Sequence, residues 1–285
     1  MMTMVRRVCL LLLLLPLSGC AGMFFHPMSE HIRDPGDVGM EYRDVRFEAD
    51  DGVMLHAWFL PAETDEAIGT VVFLHGNAEN VSTHLAAVHW LPERGFHVFL
   101  FDYRGFGHSE GRPGIAGVHR DSEAALRTTA ELEDVDEDRI VVFGQSLGAS
   151  VAITLVAEVG ERYAVRALVA DSPFRSYRGI AREKFGEFWL TWPFQWPLSL
   201  TIPSRFDPER FVAEVSPIPL LLLVGDADRI VPPQHGRDLF KLARPPVEIR
   251  TGEGMGHIQL LRIESERDYL VTWMERQLAE HRSDQ

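Results

Sequence analysis

The chain has 285 residues, 46% of them hydrophobic, which is enough for one α/β domain of ordinary size. A formal net charge of −14 argues against a nucleic-acid partner, because such partners need basic patches. Twelve histidines could suggest metal binding, but the sequence has no cysteine cluster and no His-x-x-x-His pair with an intervening glutamate. We therefore predict histidines scattered over surface and core, with no metal site.

The first nineteen residues have the features of an export signal peptide. Two arginines precede the apolar run Val8–Leu17, which is too short for the ~30 Å core of a bilayer but suits a signal h-region. The run leads into Leu-Ser-Gly-Cys, ending at Cys20, which resembles the lipoprotein box of bacteria. The resemblance implies cleavage before Cys20 and lipidation of that cysteine; ordinary signal cleavage with a chance cysteine is the alternative.

Lipidation implies that the mature protein is anchored in a bacterial cell envelope. Because Ala21 rather than aspartate follows the cysteine, similarity to known sorting signals implies the outer membrane, on its periplasmic side. Residues 20–40 contain prolines and glycines that interrupt any periodicity, so we predict a lipidated tether there and a folded domain over residues 41–281.

The predicted domain begins with a hairpin and continues with alternating strands and helices. Asp44–Ala49 and Val53–Leu60 flank an Asp-Gly turn. Continuous apolar runs, typical of parallel strands buried on both faces, then occur at Gly69–Leu74, Gly95–Phe101, Ile140–Phe143, Val165–Ala170, Ile218–Val224 and Val247–Arg250. Helices are predicted over Asn80–Arg94, Ile115–Leu132, Ala149–Val159, Gln234–Leu242 and Ile258–Glu280. The alternation indicates an α/β fold with a mostly parallel sheet, an antiparallel N-terminal edge and helices on both faces.

The sequence Gly-Gln-Ser-Leu-Gly over residues 144–148 lies between a predicted strand and a predicted helix. This context is typical of a nucleophile elbow, in which a sharp turn exposes a reactive serine. The turn strains the backbone of Ser146, so its neighbours must lack side chains that would clash. The following helix would direct free backbone N–H groups at the reacting centre.

Together with the stretches from His75 to Asn80 and from Asp102 to Ser109, this motif resembles the α/β-hydrolase superfamily. The chain is most similar to small serine esterases that include bacterial enzymes and eukaryotic protein depalmitoylase-type hydrolases, over about Tyr42 to Leu278. The resemblance implies the α/β-hydrolase fold and hydrolysis of carboxylic esters or thioesters, palmitate esters among them, through an acyl-enzyme.

Three residues are the candidates for a catalytic triad. Ser146 would be the nucleophile, and His257, in a glycine-rich loop after the last strand, would be the base. The loop from Gly225 to Pro232 resembles the Gly-x-x-Asp-x-x-Val-Pro loop of the superfamily, which implies Asp228 as the acid. Asp171, after the preceding strand, is the alternative acid, because some hydrolases carry it there.

The remaining polar residues at the strand ends are expected to support this triad. The oxyanion hole would use the backbone N–H groups of Leu147 and Asn77. His75 resembles the structural histidine of the His-Gly motif. We expect Asp102 to hold its own loop by pairing with Arg104, and Asp226 to cap a turn.

A long aromatic-rich insertion occupies residues 174–215. It can form a helix packed on the core, or a cap whose residues Trp189, Trp192 and Trp196 form the wall of an acyl pocket. A patch that dips into a membrane surface is a third use of the same residues.

The predicted function is that of a lipid-anchored serine hydrolase acting on a small-molecule or acyl-ester substrate, without cofactor or metal. An amide or peptide hydrolase of the same fold is an alternative within this class. A non-catalytic, surface-anchored binding protein on a hydrolase scaffold is the alternative from another class. The oligomeric state is left open.

Overall fold

The structure is a computed structural model that describes residues 25–187 and 189–280. Its centre is an eight-stranded sheet with the order β8-β7-β6-β5-β3-β4-β2-β1. The strands are β1 (Arg43–Glu48), β2 (Met54–Leu60), β3 (Gly69–Leu74), β4 (Phe96–Asp102), β5 (Ile140–Gln145), β6 (Val165–Asp171), β7 (Leu220–Gly225) and β8 (Val247–Gly252). The α-helices are α1 (Val81–Val88), α2 (Ile115–Ala130), α3 (Leu147–Val159), α4 (Tyr177–Glu187), α5 (Gln195–Leu200), α6 (Gln234–Leu242) and α7 (Glu264–Glu280).

The strand directions confirm the predicted sheet. Strands β3 to β8 are parallel to one another, whereas β2 pairs antiparallel with both β1 and β4. Because the carboxyl ends of all the parallel strands lie at one edge, the loops that follow them can share one site.

Two predicted helices are shorter than expected. The helix expected over 80–94 ends at Val88, and a 3₁₀ turn over Pro92–Arg94 leads to Gly95. Proline lacks the backbone N–H that a continuous helix needs, and Gly95 has a φ of 83° that ends the turn. The last helix begins at Glu264, because residues 258–263 form the loop and 3₁₀ turn after the catalytic histidine candidate.

The sheet is covered on both faces. Val142 of β5 packs in one apolar cluster with Val118 of α2 and Leu155 of α3. Its neighbour Phe143 packs in a second cluster with Met274 of α7 on the opposite face. Alternate residues of each strand thus belong to different layers, which explains why these strands are apolar throughout.

The N-terminal segment packs on the domain from Phe25 onwards. His26–Pro27 pairs in parallel with Ala78–Glu79, and the buried Phe25 ring meets the Phe106 ring edge-on at 6.3 Å. The predicted signal peptide and Cys20 lie outside the described residues. Within the described part of the chain, no helix has the length and apolar character needed to cross a membrane.

Candidate active site

Ser146 lies in the sharp turn between β5 and α3. Its backbone has φ 55° and ψ −114°, a conformation that residues other than glycine rarely adopt. This strained conformation is typical of a nucleophile elbow, in which the sharp turn exposes the serine hydroxyl to the substrate.

The two glycines of the motif are required by close backbone contacts. A Cβ on Gly144 would lie 2.3 Å from the carbonyl oxygen of Gly148, and a Cβ on Gly148 would lie 2.0 Å from that of Leu74. Helix α3 therefore begins directly against the end of β3, which is possible only without side chains at these positions.

The acid and base candidates are in direct contact. The Nδ1 atom of His257 lies 2.7 Å from Oδ2 of Asp228. The other carboxylate oxygen accepts hydrogen bonds from the backbone N–H groups of Ile230 and Val231, at 2.8 and 2.9 Å. Burial raises the pKa of Asp228, but its bonds to His257 and to the two N–H groups outweigh this, so that its pKa is lowered. An ionised acid fixed in this way can hold His257 in one orientation.

The backbones of Ser146 and His257 are linked through the end of β6. The N–H of Ser146 donates to the Asp171 carbonyl at 2.8 Å, while the N–H of Ile258, next to His257, donates to Oγ of Ser172 at 3.2 Å. The loops that carry Ser146 and His257 are therefore both attached to residues 171 and 172.

Asp171, the alternative acid, has a different environment. Its carboxylate accepts hydrogen bonds from Gln145 and Ser172, and burial raises its pKa to about 6. Because the Nδ1 atom of His257 is bonded to Asp228, the structure favours Asp228 as the partner of the base.

His75 has the structural role expected from its motif. Its ring is fully buried, its Nδ1 lies 2.7 Å from the Gly76 carbonyl oxygen, and burial lowers its pKa to about 3. The backbone N–H of Gly254 donates to the Asp226 carboxylate at 2.7 Å, which ties the Asp226 turn to the loop of His257.

The expected pairing of Asp102 with Arg104 is wrong. The Arg104 guanidinium instead contacts the carboxylates of Asp121 and Asp51 at 2.7 and 2.8 Å. The Asp102 carboxylate accepts from the backbone N–H of Val81 at 3.0 Å and contacts the His31 ring, a residue far from it in sequence.

A pocket of about 380 Å³ opens at Ser146. Both oxyanion-hole candidates, Asn77 and Leu147, line it together with the serine, and Leu147 is the first residue of α3, where backbone N–H groups lack helical partners. The rest of the lining is mainly apolar and consists of Phe25, His26, Phe174, Tyr177, Ile180, Ala181, Lys184, Phe185, Ile230 and Val231.

Helix α4, and not the three predicted tryptophans, contributes to the apolar wall of the pocket. Trp189, Trp192 and Trp196 are not among the described residues that line the pocket, and they are 77%, 60% and 62% exposed. Helix α4, at the start of the same insertion, supplies Tyr177, whose side chain is fully buried. The aromatic composition of the insertion could not show which of its rings face inward.

Two features of this edge of the sheet escaped prediction. Phe25 and His26 of the presumed tether line the pocket, which no local pattern in the sequence indicates. The rings of His31, His56 and His108, scattered along the sequence, lie together beside Asp102.

Comparisons with known proteins agree with this architecture. The Hydrolase_4 family, described as serine aminopeptidase S33, matches residues 65–210. The chain is 40% identical over 227 residues to the "Uncharacterized protein YfhR" of Escherichia coli K12, covering 78% of this chain and 75% of YfhR. It is 31% identical over 220 residues to the protein bem46 of Schizosaccharomyces pombe, covering 75% of this chain and 69% of bem46.

A solved structure shares the fold over most of its length. The esterase Pf2001 of Pyrococcus furiosus superimposes with a TM-score of 0.69 at 25% identity, covering 90% of this chain and 97% of the esterase. With the strand order, the elbow and the family match taken together, the chain belongs to the Hydrolase_4 family and is a hydrolase of the α/β-hydrolase fold.

Proposed function

We propose that the chain is a serine hydrolase that cleaves carboxylic esters or thioesters through an acyl-enzyme. The observation that carries the proposal is the contact between His257 and Asp228 at the end of the sheet where Ser146 opens into an apolar pocket. An idle hydrolase scaffold would not need a strained serine, an oriented histidine and an ionised carboxylate in one place.

The reaction follows from these positions. The Ser146 hydroxyl attacks the substrate carbonyl while His257 accepts its proton, and Asp228 stabilises the resulting imidazolium. The backbone N–H groups of Leu147 and Asn77 donate to the oxygen as it gains charge, each worth roughly 2.7–4 kcal/mol. His257 then protonates the leaving group, and water repeats the sequence on the acyl-enzyme.

The lining of the pocket favours an apolar acyl group. A volume of about 380 Å³ lies within the range of small-molecule sites, and most lining side chains are aromatic or aliphatic. Each methylene that enters such a pocket contributes about 0.8 kcal/mol. We therefore expect preference for medium-length acyl chains over acetate.

The same lining argues against an aminopeptidase, the alternative that the family description raises. Such an enzyme must bind a substrate ammonium group, for which a carboxylate is the natural partner. No carboxylate is found among the described residues that line the pocket, whereas Lys184 contributes a cationic side chain. A positively charged substrate end would meet no compensating charge there.

Replacement of Phe185 by alanine tests the acyl pocket. We expect kcat/KM for a p-nitrophenyl octanoate ester to fall about tenfold and that for acetate to fall less than about twofold, because only the longer chain would reach the ring of Phe185 in the pocket lining. Trp192→Ala is the matched control, an exposed ring of the same insertion outside the pocket. Equal losses on both esters, or equal effects of both variants, would contradict the assignment. Faster cleavage of leucine p-nitroanilide than of any ester would favour the aminopeptidase instead.

We also propose that the enzyme is anchored in the bacterial envelope through lipid on Cys20. Phe25, only five residues further, lines the pocket, so the anchor would hold the pocket close to the lipid surface. The insertion adds six exposed apolar side chains suited to the same surface, namely Trp189, Leu190, Trp192, Phe194, Trp196 and Leu200.

Metabolic labelling tests the anchor. Radioactive palmitate is expected to label the wild-type chain and not Cys20→Ser, which should also leave the membrane fraction, since lipid chains supply the membrane affinity. Cys9→Ser is the control and should label as wild type. Labelling of Cys20→Ser at the wild-type level would overturn the proposed anchor.

A further inference from the structure

A cluster of three histidines lies around the buried carboxylate of Asp102, at the edge of the sheet formed by β1, β2 and β4. His56 of β2 faces Asp102 in the register of the two strands, and its Nδ1 lies 3.6 Å from Oδ2 of Asp102. His31, from the N-terminal segment, places its Nε2 atom 2.8 Å from the same oxygen. The ring of His108 stacks on that of His31 with centroids 3.8 Å apart.

The three rings offer nitrogens that all lie within 4.8 Å of one another. Among the described residues, Nδ1 of His56 has no hydrogen-bond partner, although the residue is only 1% exposed. A buried ring nitrogen without a partner is costly, and here it faces a carboxylate and two further imidazoles. This is the arrangement that a cation would complete.

The second ring nitrogen of His56, Nε2, has the kind of partner that is typical of metal-binding histidines. Its Nε2 lies 2.7 Å from Oδ1 of Asp44, and the indole N–H of Trp58 donates to the same oxygen at 3.2 Å. A carboxylate that accepts the proton of one ring nitrogen leaves the other as a lone pair directed at the metal. Asp44 thus fixes the tautomer of His56 in which Nδ1 can bind a cation.

The cluster is accessible from solvent. A groove of about 480 Å³ is lined by all three histidines and opens past His108, whose side chain is exposed. The charged residues of its lining include three acidic and two basic side chains, namely Asp34, Asp37, Asp44, Arg33 and Arg46. With the buried Asp102 added, acidic groups predominate around the histidines.

We propose that one ring nitrogen from each of His31, His56 and His108 binds a single divalent transition-metal ion beside the Asp102 carboxylate. Three imidazole ligands with a fourth, open coordination position suit Zn²⁺. The competing arrangement is the direct pair of His31 with Asp102, in which no metal is held.

The ion would attach the N-terminal segment to the domain. His31 lies only four residues after the paired segment His26–Pro27. Phe25, which directly precedes that segment, lines the pocket at Ser146. The Asn80 side chain already donates to the carbonyls of Met28 and Glu30, at 3.0 and 2.7 Å. A metal bound to His31 would attach the C-terminal end of this segment more strongly than these hydrogen bonds do, and would so hold Phe25 in the pocket wall.

The test is a metal titration of the full chain, purified in detergent without a histidine tag and freed of metal by a chelator. Isothermal titration with ZnCl₂ is expected to show one Zn²⁺ per chain, and CoCl₂ should give the visible absorption of four-coordinate cobalt, which Zn²⁺ then abolishes. His108→Ala, at an exposed position that should not impair folding, is expected to weaken Zn²⁺ binding at least about 100-fold. Asp44→Asn should weaken it about 10- to 100-fold.

His89→Ala is the matched control, because the ring of this exposed histidine contacts only the Ala86 carbonyl among the side-chain hydrogen bonds described. It should bind Zn²⁺ as wild type does. Folding of each variant is checked by its thermal unfolding in the presence of chelator. Zn²⁺ binding unchanged in His108→Ala would show that the metal binds elsewhere and overturn the proposal. The absence of any one-to-one binding in the wild type would favour the direct pair of His31 with Asp102.

Discussion

Ser146→Ala is expected to reduce kcat/KM for an activated ester by at least about 10⁴-fold. The variant keeps the pocket and the N–H group of Leu147 but removes the oxygen that forms the acyl-enzyme, so only binding and electrostatic contributions remain. Steady-state hydrolysis of p-nitrophenyl butyrate, with thermal unfolding as a check of the fold, measures the effect.

The matched control is Ser265→Ala, at an exposed position in the first turn of α7. Its kcat/KM should stay within about twofold of wild type. A comparable residual activity in both variants would show that another group is the nucleophile.

Asp228→Asn is expected to lower kcat by about 10³- to 10⁴-fold with a small change in KM. The amide oxygen can still accept from the N–H groups of Ile230 and Val231, but its NH₂ group would face His257 with a donor in place of an acceptor. The imidazole then loses both its orientation and the charge that stabilises imidazolium. Pre-steady-state release of p-nitrophenol measures the acylation step directly.

Asp171→Asn separates the two acid candidates. Its carboxylate is buried and bonded to Gln145 and Ser172, with a pKa raised to about 6, whereas the pKa of Asp228 is lowered. We expect Asp171→Asn to lose no more than about tenfold in kcat. A loss in Asp171→Asn equal to that in Asp228→Asn would contradict the assignment of Asp228 alone.

The residues whose positions could be predicted from the sequence are those that belong to a short motif. Gly144 contacts Gly148 within one turn, and Gly148 contacts the end of β3. Strand β5, the two glycines and Ser146 are consecutive in the sequence, so they can be recognised together. The loop of Asp228 can likewise be recognised from consecutive residues, Gly225 to Pro232. The contact of His257 with Asp228 could be predicted because His257 follows the last strand in a glycine-rich loop.

The residues that could not be predicted depend on contacts between distant parts of the chain. Phe25 lines the pocket only because the segment before β1 pairs with the turn after β3. The sequence suggests the nearby Asp102 as the partner of Arg104, whereas its partner Asp121 lies on α2. His31 and His56 meet around Asp102 through strand pairing and chain packing, which no spacing rule detects.

The most direct test of a serine mechanism is covalent labelling with a fluorophosphonate, which reacts only with an activated serine. Intact-mass analysis of the full chain in detergent should show one adduct per molecule, and peptide mapping should place it on Ser146. His257→Ala should label far more slowly, because the serine then lacks its base. Absence of an adduct from the folded wild-type protein, or an adduct on another residue, would contradict the proposed mechanism.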